Sequence, residues 1–425
     1  MAIELLNGMR DTDDFVTTNN VRYTWRPENW REAILRLYPN GMAPLTAIMS
    51  MVGSKPTDDP IFHWFDKDLP TLRAAITGQW DNAAMTTTYS DDVAAAGTVY
   101  IQMSLLDAQQ FKVGHLVELR DATELYALKK MVCLVTAVTL AAASSYLTLK
   151  ALEADPATSS GVFDVAYIIG TAYEEGSDTP AAVSYNPNQY YNYTQIFRTS
   201  LQATRTAKKT RLRTGDYMAE AKREALELHS IELERALLFG VRYATTGSLG
   251  YPLRTTMGIM RFISTNSFNF AVETSKTNWA TSGEAWLDEK LEQTFRYGSN
   301  QKLALCGSGA LLGINKLVKA KGTFQFTEKT MGYGIQVVQW TTPFGVINIK
   351  THPLFNQEAT LANTMLVLEP KNIIPRIITD TNYLPNRQGN GLDSELSEFL
   401  TEIGYEYHFE KAFAVFRGVG SAPAS

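Results

Sequence analysis

Cysteine is almost missing from this chain. Its 425 residues hold only Cys133 and Cys306, too few and too far apart for a disulfide framework or a cysteine-based zinc site. Histidine is sparse as well. His63, His115, His229, His352 and His408 show no HExxH or HxH spacing, so no metal centre is expected and structural or surface roles are favoured for all five. A strong charge of one sign is also absent. The net charge of −5 excludes a generally basic nucleic-acid binder but leaves room for a local basic patch. Glu4, Asp11, Asp13 and Asp14 stand where a secretory signal would need basic and then apolar residues. No glycine and distal glutamate turn those aspartates into a calcium loop. No Gly-x-Ser-x-Gly elbow and no Walker lysine occurs. The expectation is therefore a chain with no catalytic residue, no cofactor and no bound metal.

Long apolar runs are missing too, with one apparent exception. Residues 131–149 carry no charge between Lys130 and Lys150, about the length a membrane helix needs. Thr136, Thr139, Ser144, Ser145, Tyr146 and Thr148 make the stretch too polar to span. Its valines, an AAASS turn and a YLTL run predict a β-hairpin and no membrane partner.

The clearest positive signal is a helix over 216–239, DYMAEAKREALELHSIELERALLF. Strong helix formers fill it, with no Gly or Pro inside. Asp216 is a good N-cap and Gly240 a good terminator. Met218, Ala221, Ala225 and Leu228 form one apolar stripe, and Leu226, Leu233 and Leu237 a second beside it. Arg223 with Glu227, and Glu232 with Arg235, support its wet face weakly. At roughly 36 Å the helix is longer than a compact domain usually needs. We read it as a spine.

Around it the chain divides by composition. Residues 1–60 are broken by Pro27, Pro39, Pro44, Pro56 and Pro60, hold one short amphipathic helix at 29–38, and otherwise form an arm that must pack on something else. Phe62, Trp64 and Leu69 anchor a partly buried strand in 61–77, and 83–98 reads as a loop. Short strands at VYIQM, FKVGHLVELR, MVCLVTAV, YLTLKAL and FDVAYIIG follow between 99 and 172, predicting a small antiparallel barrel or sandwich inserted at about 97–185. A long strand at 192–206 leads to the spine. Beyond Gly240 come a loop-rich stretch, helices at 284–297 and 308–319, strands at 302–306, 335–340, 344–352, 364–368 and 373–378, a polar loop at 384–394, two closing strands in 395–418 and a short tail.

Two segments carry possible chemistry. Residues 179–215 contain no acid but six bases, Arg198, Arg205, Lys208, Lys209, Arg211 and Arg213, with Tyr191, Tyr193 and Phe197 beside them. This mixture suits phosphate backbones or, as the acidic remainder of the chain favours, pairing with acidic groups on a neighbouring subunit. The string from Gly307 to Gly313 follows a strand and opens a helix, as a dinucleotide-binding turn would. No βαβ alternation surrounds it, and Ser308 capping an ordinary helix is the simpler reading.

The order of parts resembles a known family. NYTQIFRTSLQATRTAKK, the helix ending ELERALLFG, the loop QGNGLDSE followed by FLTEIGYEYHFEKAFAVFRGV, and the earlier FHWFDKDL are similar to major capsid proteins of tailed bacteriophages with the Hong Kong 97-type fold. That resemblance implies an α+β subunit. Residues 1–60 would be the N-terminal arm and 61–213 the extended loop, departing from the minimal pattern by the β insertion. Residues 214–282 would be the peripheral domain, 283–380 the axial domain, and 381–425 the return strands and tail. It further implies hexamers and pentamers closing an icosahedral head around double-stranded DNA, assembled in the bacterial host cytoplasm and residing in the virion. The expected partners are a scaffolding protein (separate, since no scaffold-sized segment precedes the arm), a portal protein and a decoration protein. Some members crosslink Lys to Asn, but nothing singles out Lys129, Lys130, Asn386 or Asn390 for that role. Two other readings stand beside this one. They are the shell protein of an encapsulin-like nanocompartment and a dinucleotide-binding oxidoreductase built on Gly307–Gly313.

Overall fold

The computed structural model describes residues 44–420, apart from 68–71, 90–92, 122–129, 143, 155–162, 181, 183, 185, 211–215, 274–277, 322–325 and 332–334. The amphipathic stretch 29–38, the aspartates at 11–14, Leu69, Lys129, Arg211, Arg213 and the tail therefore lie outside the described residues. The chain forms two compact units, residues 67–188 and the remainder.

The spine helix runs Tyr217–Phe239, with the Asp216 side chain accepting from Met218 N–H and Gly240 closing the far end. It lies on a four-stranded sheet ordered Lys55–Pro56, Ile373–Leu384, Ser394–Tyr407, Gln195–Thr204. The predicted long strand pairs antiparallel with Ser394–Tyr407 over ten residues, from Gln195 opposite Ile403 to Thr204 opposite Ser394. Met218 and Ala225 pack with Leu201, Ala203 and Phe399. Leu233, Leu237 and Leu238 continue the contact onto Phe197, Ile403, Tyr405 and Tyr407.

One part of the predicted stripe is wrong. Leu228 is 56% exposed and Leu226 is 43% exposed, and Ala221 is only partly buried. The buried line is Met218, Ala225, His229, Leu233 and Leu237, stepping by four after Ala225 rather than three. A one-residue change of step rotates the face by about 100°, which carries Leu228 outward and His229 inward. His229 tolerates this because its ring bonds Thr199 Oγ1 at 2.9 Å and Thr401 Oγ1 at 2.7 Å, and burial holds it below the ordinary imidazole value.

A mixed seven-stranded sheet lies beyond the spine, ordered Ser267–Asn269, Ala414–Arg417, Met365–Leu368, Gln301–Cys306, Gly345–Thr351, Ile335–Thr342, Phe326–Met331. Its central strand alternates between two cores, as a pleated strand buried on both faces must. Leu303 and Leu305 meet the spine side. Ala304 and Cys306 meet Trp286, Leu287, Ala310 and Ile314 from the helices Trp279–Phe295 and Ser308–Lys321. The closing segment departs from expectation: Ser394–Tyr407 returns to the four-stranded sheet, whereas Ala414–Arg417 crosses into the seven-stranded one.

The other unit is a closed six-stranded barrel ordered Arg73–Trp80, Thr98–Met103, Ser145–Ala151, Lys130–Thr139, His115–Arg120, Val165–Thr171. All neighbours are antiparallel, and Arg73 opposite Tyr167 closes the ring. Alternate residues point inward, including Val99, Ile101 and Met103, then Val117 and Leu119, Met131, Cys133 and Val135, and Leu147 and Leu149. The barrel begins earlier than the insertion expected at about 97, because Arg73–Trp80 supplies its first strand. The uncharged run 131–149 is the hairpin predicted for it. No helix among the described residues is long and apolar enough to cross a membrane.

Candidate assembly surfaces

The first built feature is a clamp on the helix Pro44–Val52. Pro44–Val52 is the first described helix, and its leading N–H groups have no partner within the helix. Glu234, on the buried face of the spine, reaches them: it accepts from Leu45 N–H at 2.8 Å and Thr46 N–H at 2.6 Å, and also from the Thr46 hydroxyl. His352 completes the site from beyond the Gly345–Thr351 strand, with Nε2 at 2.7 Å from Glu234 Oε1. Both side chains are fully shielded from solvent. A carboxylate at a helix N-terminus is favoured by the exposed amides and the helix dipole.

The second is a charged knot where the barrel excursion leaves the body. Strand Ile61–Asp66 alternates outward and inward, burying Phe62, Trp64 and Asp66. Asp66 Oδ1 lies 2.6 Å from His408 Nδ1, and Glu406 Oε1 lies 2.8 Å from His408 Nε2. Two carboxylates face two ring nitrogens, so both nitrogens donate and the ring is an imidazolium. The hydrogen bond to Glu406 chiefly raises the His408 pKa, with Asp66 adding and burial opposing. Burial pushes Glu406 up, but hydrogen bonds from His408 and Arg376 outweigh it and leave this carboxylate below its ordinary value. Phe409, held at a positive φ of 56°, donates its N–H to Asp66 Oδ2.

The third is Lys302, whose ammonium is enclosed and bonds Glu369 at 2.9 Å, Ala412 O at 2.7 Å and Tyr297 O at 3.0 Å. Burial lowers its pKa, with Glu369 opposing. It fastens the turn before the central strand to the turn before the last one.

The predicted basic segment is brought together with acids of its own chain. Arg198 bonds Glu398 at 2.6 Å, Arg205 bonds Asp393 at 2.9 Å, and Lys208 bonds Glu395. Arg205, Lys208, Lys209, Gln388, Leu392 and Asp393 are among the residues around an open surface cavity of about 390 Å³. The partners expected from a neighbouring subunit are thus supplied internally for three of these residues. Lys209 stays exposed.

The glycines of Gly307–Gly313 pack tightly against neighbouring backbone and side chains. A Cβ at Gly307 would lie 2.3 Å from Ala362 O, one at Gly309 2.2 Å from Asn363 Oδ1, and one at Gly313 2.4 Å from Gly420 Cα. These glycines permit close packing of the chain at this turn. Ser308 is the first helical residue rather than the cap. Its N–H donates to Asn356 Oδ1 at 2.7 Å. Among the described residues no group of three or more His, Cys, Asp or Glu is placed to hold a metal ion.

Sequence reasoning missed Glu234, Lys302, Asp66, Glu406 and His408 as a set. Only Glu234 left a local trace, an acid among Leu233, Leu237 and Leu238 on the buried face. The other pairings join residues up to 342 positions apart, which spacing does not reveal.

From the first described helix through the barrel, spine helix, mixed sheet and return strand, the order of elements is α+β and follows the order expected from the Hong Kong 97-type resemblance. Comparison with known proteins found the following similarities. The major capsid protein of Pseudomonas phage PaMx41 is 26% identical over 329 residues, covering 76% of this chain and 72% of that one. Among solved structures, the encapsulin of Synechococcus elongatus aligns with TM-score 0.40 at 12% identity, over 56% of this chain and 79% of that one. The satellite phage P4 procapsid aligns with TM-score 0.34 at 11% identity, over 61% and 86%. The decisive match is to the family described as SU10 major capsid protein, which spans residues 12–420. The chain belongs to the SU10 major capsid protein family.

Proposed function

We propose that copies of this chain assemble into hexamers and pentamers and close an icosahedral head around double-stranded DNA, with shell formation rather than catalysis as its work. The observation that carries this reading is apolar surface left open on well-ordered elements. Phe65, Tyr243, Leu249, Tyr251 and Leu253 are exposed on strands and turns, while the same body fully buries residues such as Trp286, Phe355 and Phe416. Contiguous exposed apolar surface marks contact sites, and a shell gives every copy the same neighbours. Built anchors at both departures from the body, Glu234 under the arm and His408 under the excursion, suit segments that carry load between copies. Assembly in the host cytoplasm with a scaffolding protein, a portal and a decoration protein belongs to the same reading. So does contact of exposed bases such as Lys209 with packaged DNA.

Electron microscopy of the purified chain tests it. Closed icosahedral shells are expected, and in the phage lysate the same shells filled with DNA. A monodisperse monomer at micromolar concentration would sink the reading. Empty shells in the infected cell, never filled, would favour the nanocompartment alternative instead.

A further inference from the structure

Charge is distributed unevenly along two segments that each carry an exposed stretch. Residues 235–272 contain no acid and four arginines, Arg235, Arg242, Arg254 and Arg261. Within that stretch the hairpin Tyr243–Thr246 with Pro252–Thr255 stands off the spine's end. Its turn is held by Gly247 N–H to Tyr251 O at 2.8 Å, with Gly250 at a positive φ. Leu249 is 83% exposed and Tyr251 72%, and Val241, Tyr243 and Leu253 are open as well. Arg242 lies 4.0 Å over the Tyr191 ring and donates to Tyr191 O. No carboxylate among the described residues bonds Arg242 or Arg254. The hairpin is thus a cationic, aromatic surface with no carboxylate partner for its arginines among the described residues.

The opposite composition occurs on the limb leaving the barrel. Residues 151–197 hold Glu153, Asp155, Asp164, Glu174, Glu175 and Asp178 and neither Lys nor Arg. Residues 171–180 are exposed throughout. Tyr173 is ordered by its hydroxyl donating to Val113 O at 3.3 Å, and Ser177 N–H to Glu174 O with Gly176 at positive φ makes a turn that displays the acids. Glu174, Glu175 and Asp178 have no cationic partner among the described residues.

We propose that these two surfaces are partners between copies: the acidic limb Tyr173–Asp178 of one subunit docks on the arginine-aromatic hairpin 241–255 of a second copy. This rests on the shell reading above and adds which surfaces meet. Like-signed surfaces repel when copies align otherwise, so the complementarity fixes register as well as attraction. Aromatic residues beside the arginines supply the apolar contact such a junction needs. The contact is head-to-tail, joining different patches on the two copies, and repeats around a ring.

Charge exchange tests it on the full chain. Arg242→Glu with Arg254→Glu, and separately Glu174→Arg with Glu175→Arg, are each expected to lower the yield of shells about tenfold, with circular dichroism unchanged. The variant carrying all four changes is expected to recover most of that loss. Where a reversal disturbs folding, Arg242→Gln with Arg254→Gln and Glu174→Gln with Glu175→Gln read the same contact. Raising salt should weaken assembly of the wild type more than that of these neutral variants. Assembly unaffected by either pair of changes overturns the inference, as does failure of the four-change variant to recover. Hairpin variants that form normal shells but retain less DNA would identify nucleic acid as the occupant and overturn it too. A wild-type chain that never self-associates is a different result, since it removes the shell reading before any variant is made.

Discussion

His352 donates from Nε2 to Glu234 Oε1 at 2.7 Å, while its Nδ1 accepts from Leu354 N–H at 3.2 Å. The acceptor role of Nδ1 places the proton on Nε2, so one neutral ring links the spine to the chain after the Gly345–Thr351 strand. Glu234 in turn holds the N-terminus of the helix Pro44–Val52. Three distant segments meet at one carboxylate.

Glu234→Ala leaves the Leu45 and Thr46 amides and the His352 proton without an acceptor inside the fold. The expected loss is about 3–5 kcal/mol in chemical denaturation, with Glu234→Gln losing less because it keeps the shape and an acceptor. A denaturation midpoint like that of the wild type would show that the clamp contributes nothing.

Stability should fall toward alkaline pH because of His408. Its folded pKa is raised above the ordinary 6.5, so its contribution is complete below that value and lost as pH rises through the folded one. The groups facing it are Asp66, Glu406 and, through Glu406, Arg376. Glu406 acts in the opposite sense. Its lowered pKa means stability present above the ordinary carboxylate range and lost as acid protonates it. Melting temperatures recorded across neutral to mildly alkaline pH should slope down for the wild type. His408→Gln should lack that slope; parallel profiles would contradict the imidazolium.

Position along the spine decides what a substitution does. Ala225→Pro removes a helical hydrogen bond on the face packed against Leu201 and Phe399, costing about 3 kcal/mol or more, and should prevent the subunit from folding. Leu228→Lys, three residues on but exposed, should stay within about 0.5 kcal/mol of the wild type. Thermal melts of the two variants distinguish them, and soluble, shell-forming Ala225→Pro would show the helix has been misread.

The basic segment offers a smaller effect. Arg205 and Lys208 pair with Asp393 and Glu395 near the surface, where such pairs contribute about 0–1 kcal/mol. Arg205→Ala with Lys208→Ala should therefore leave both the melting temperature and low-salt shell assembly close to wild type. A collapse of assembly in this variant would return those residues to the subunit interface.

Gly307→Ala tests the oxidoreductase alternative. The added carbon would meet the Ala362 carbonyl, costing about 1–3 kcal/mol through overpacking. No saturable change in nicotinamide fluorescence is expected on titrating the wild type with the reduced cofactor. Saturable binding abolished by Gly307→Ala would revive that reading.

Regular elements were legible where local rules suffice. The spine's ends could be read from Asp216 and Gly240, and the barrel strands from period-two runs such as VYIQM and MVCLVTAV. Its buried face was only half legible, because His229 takes a place that hydrophobic pattern alone assigns to Leu228. Glu232 and Arg235, spaced for a mutual pair, instead bond Thr199 and Gln357. Arg73–Trp80 was not read as part of the barrel, since its closing partner near Tyr167 lies some ninety positions away. The anchors depend on tertiary placement. Neither Asp66 nor His408 carries any local mark of the other.

Strand Ile61–Asp66 pairs with Asn188–Tyr193, and Thr194 N–H donates to Pro60 O at 2.9 Å. The polypeptide thus leaves and returns through neighbouring strands of one ribbon. Whatever is spliced between them must only bring its own two ends together, and that requirement grows slowly with length. The ribbon is a port: barrels of different size and surface can be exchanged there over evolutionary time, or a foreign domain grafted, while the register of both body sheets stays as it is.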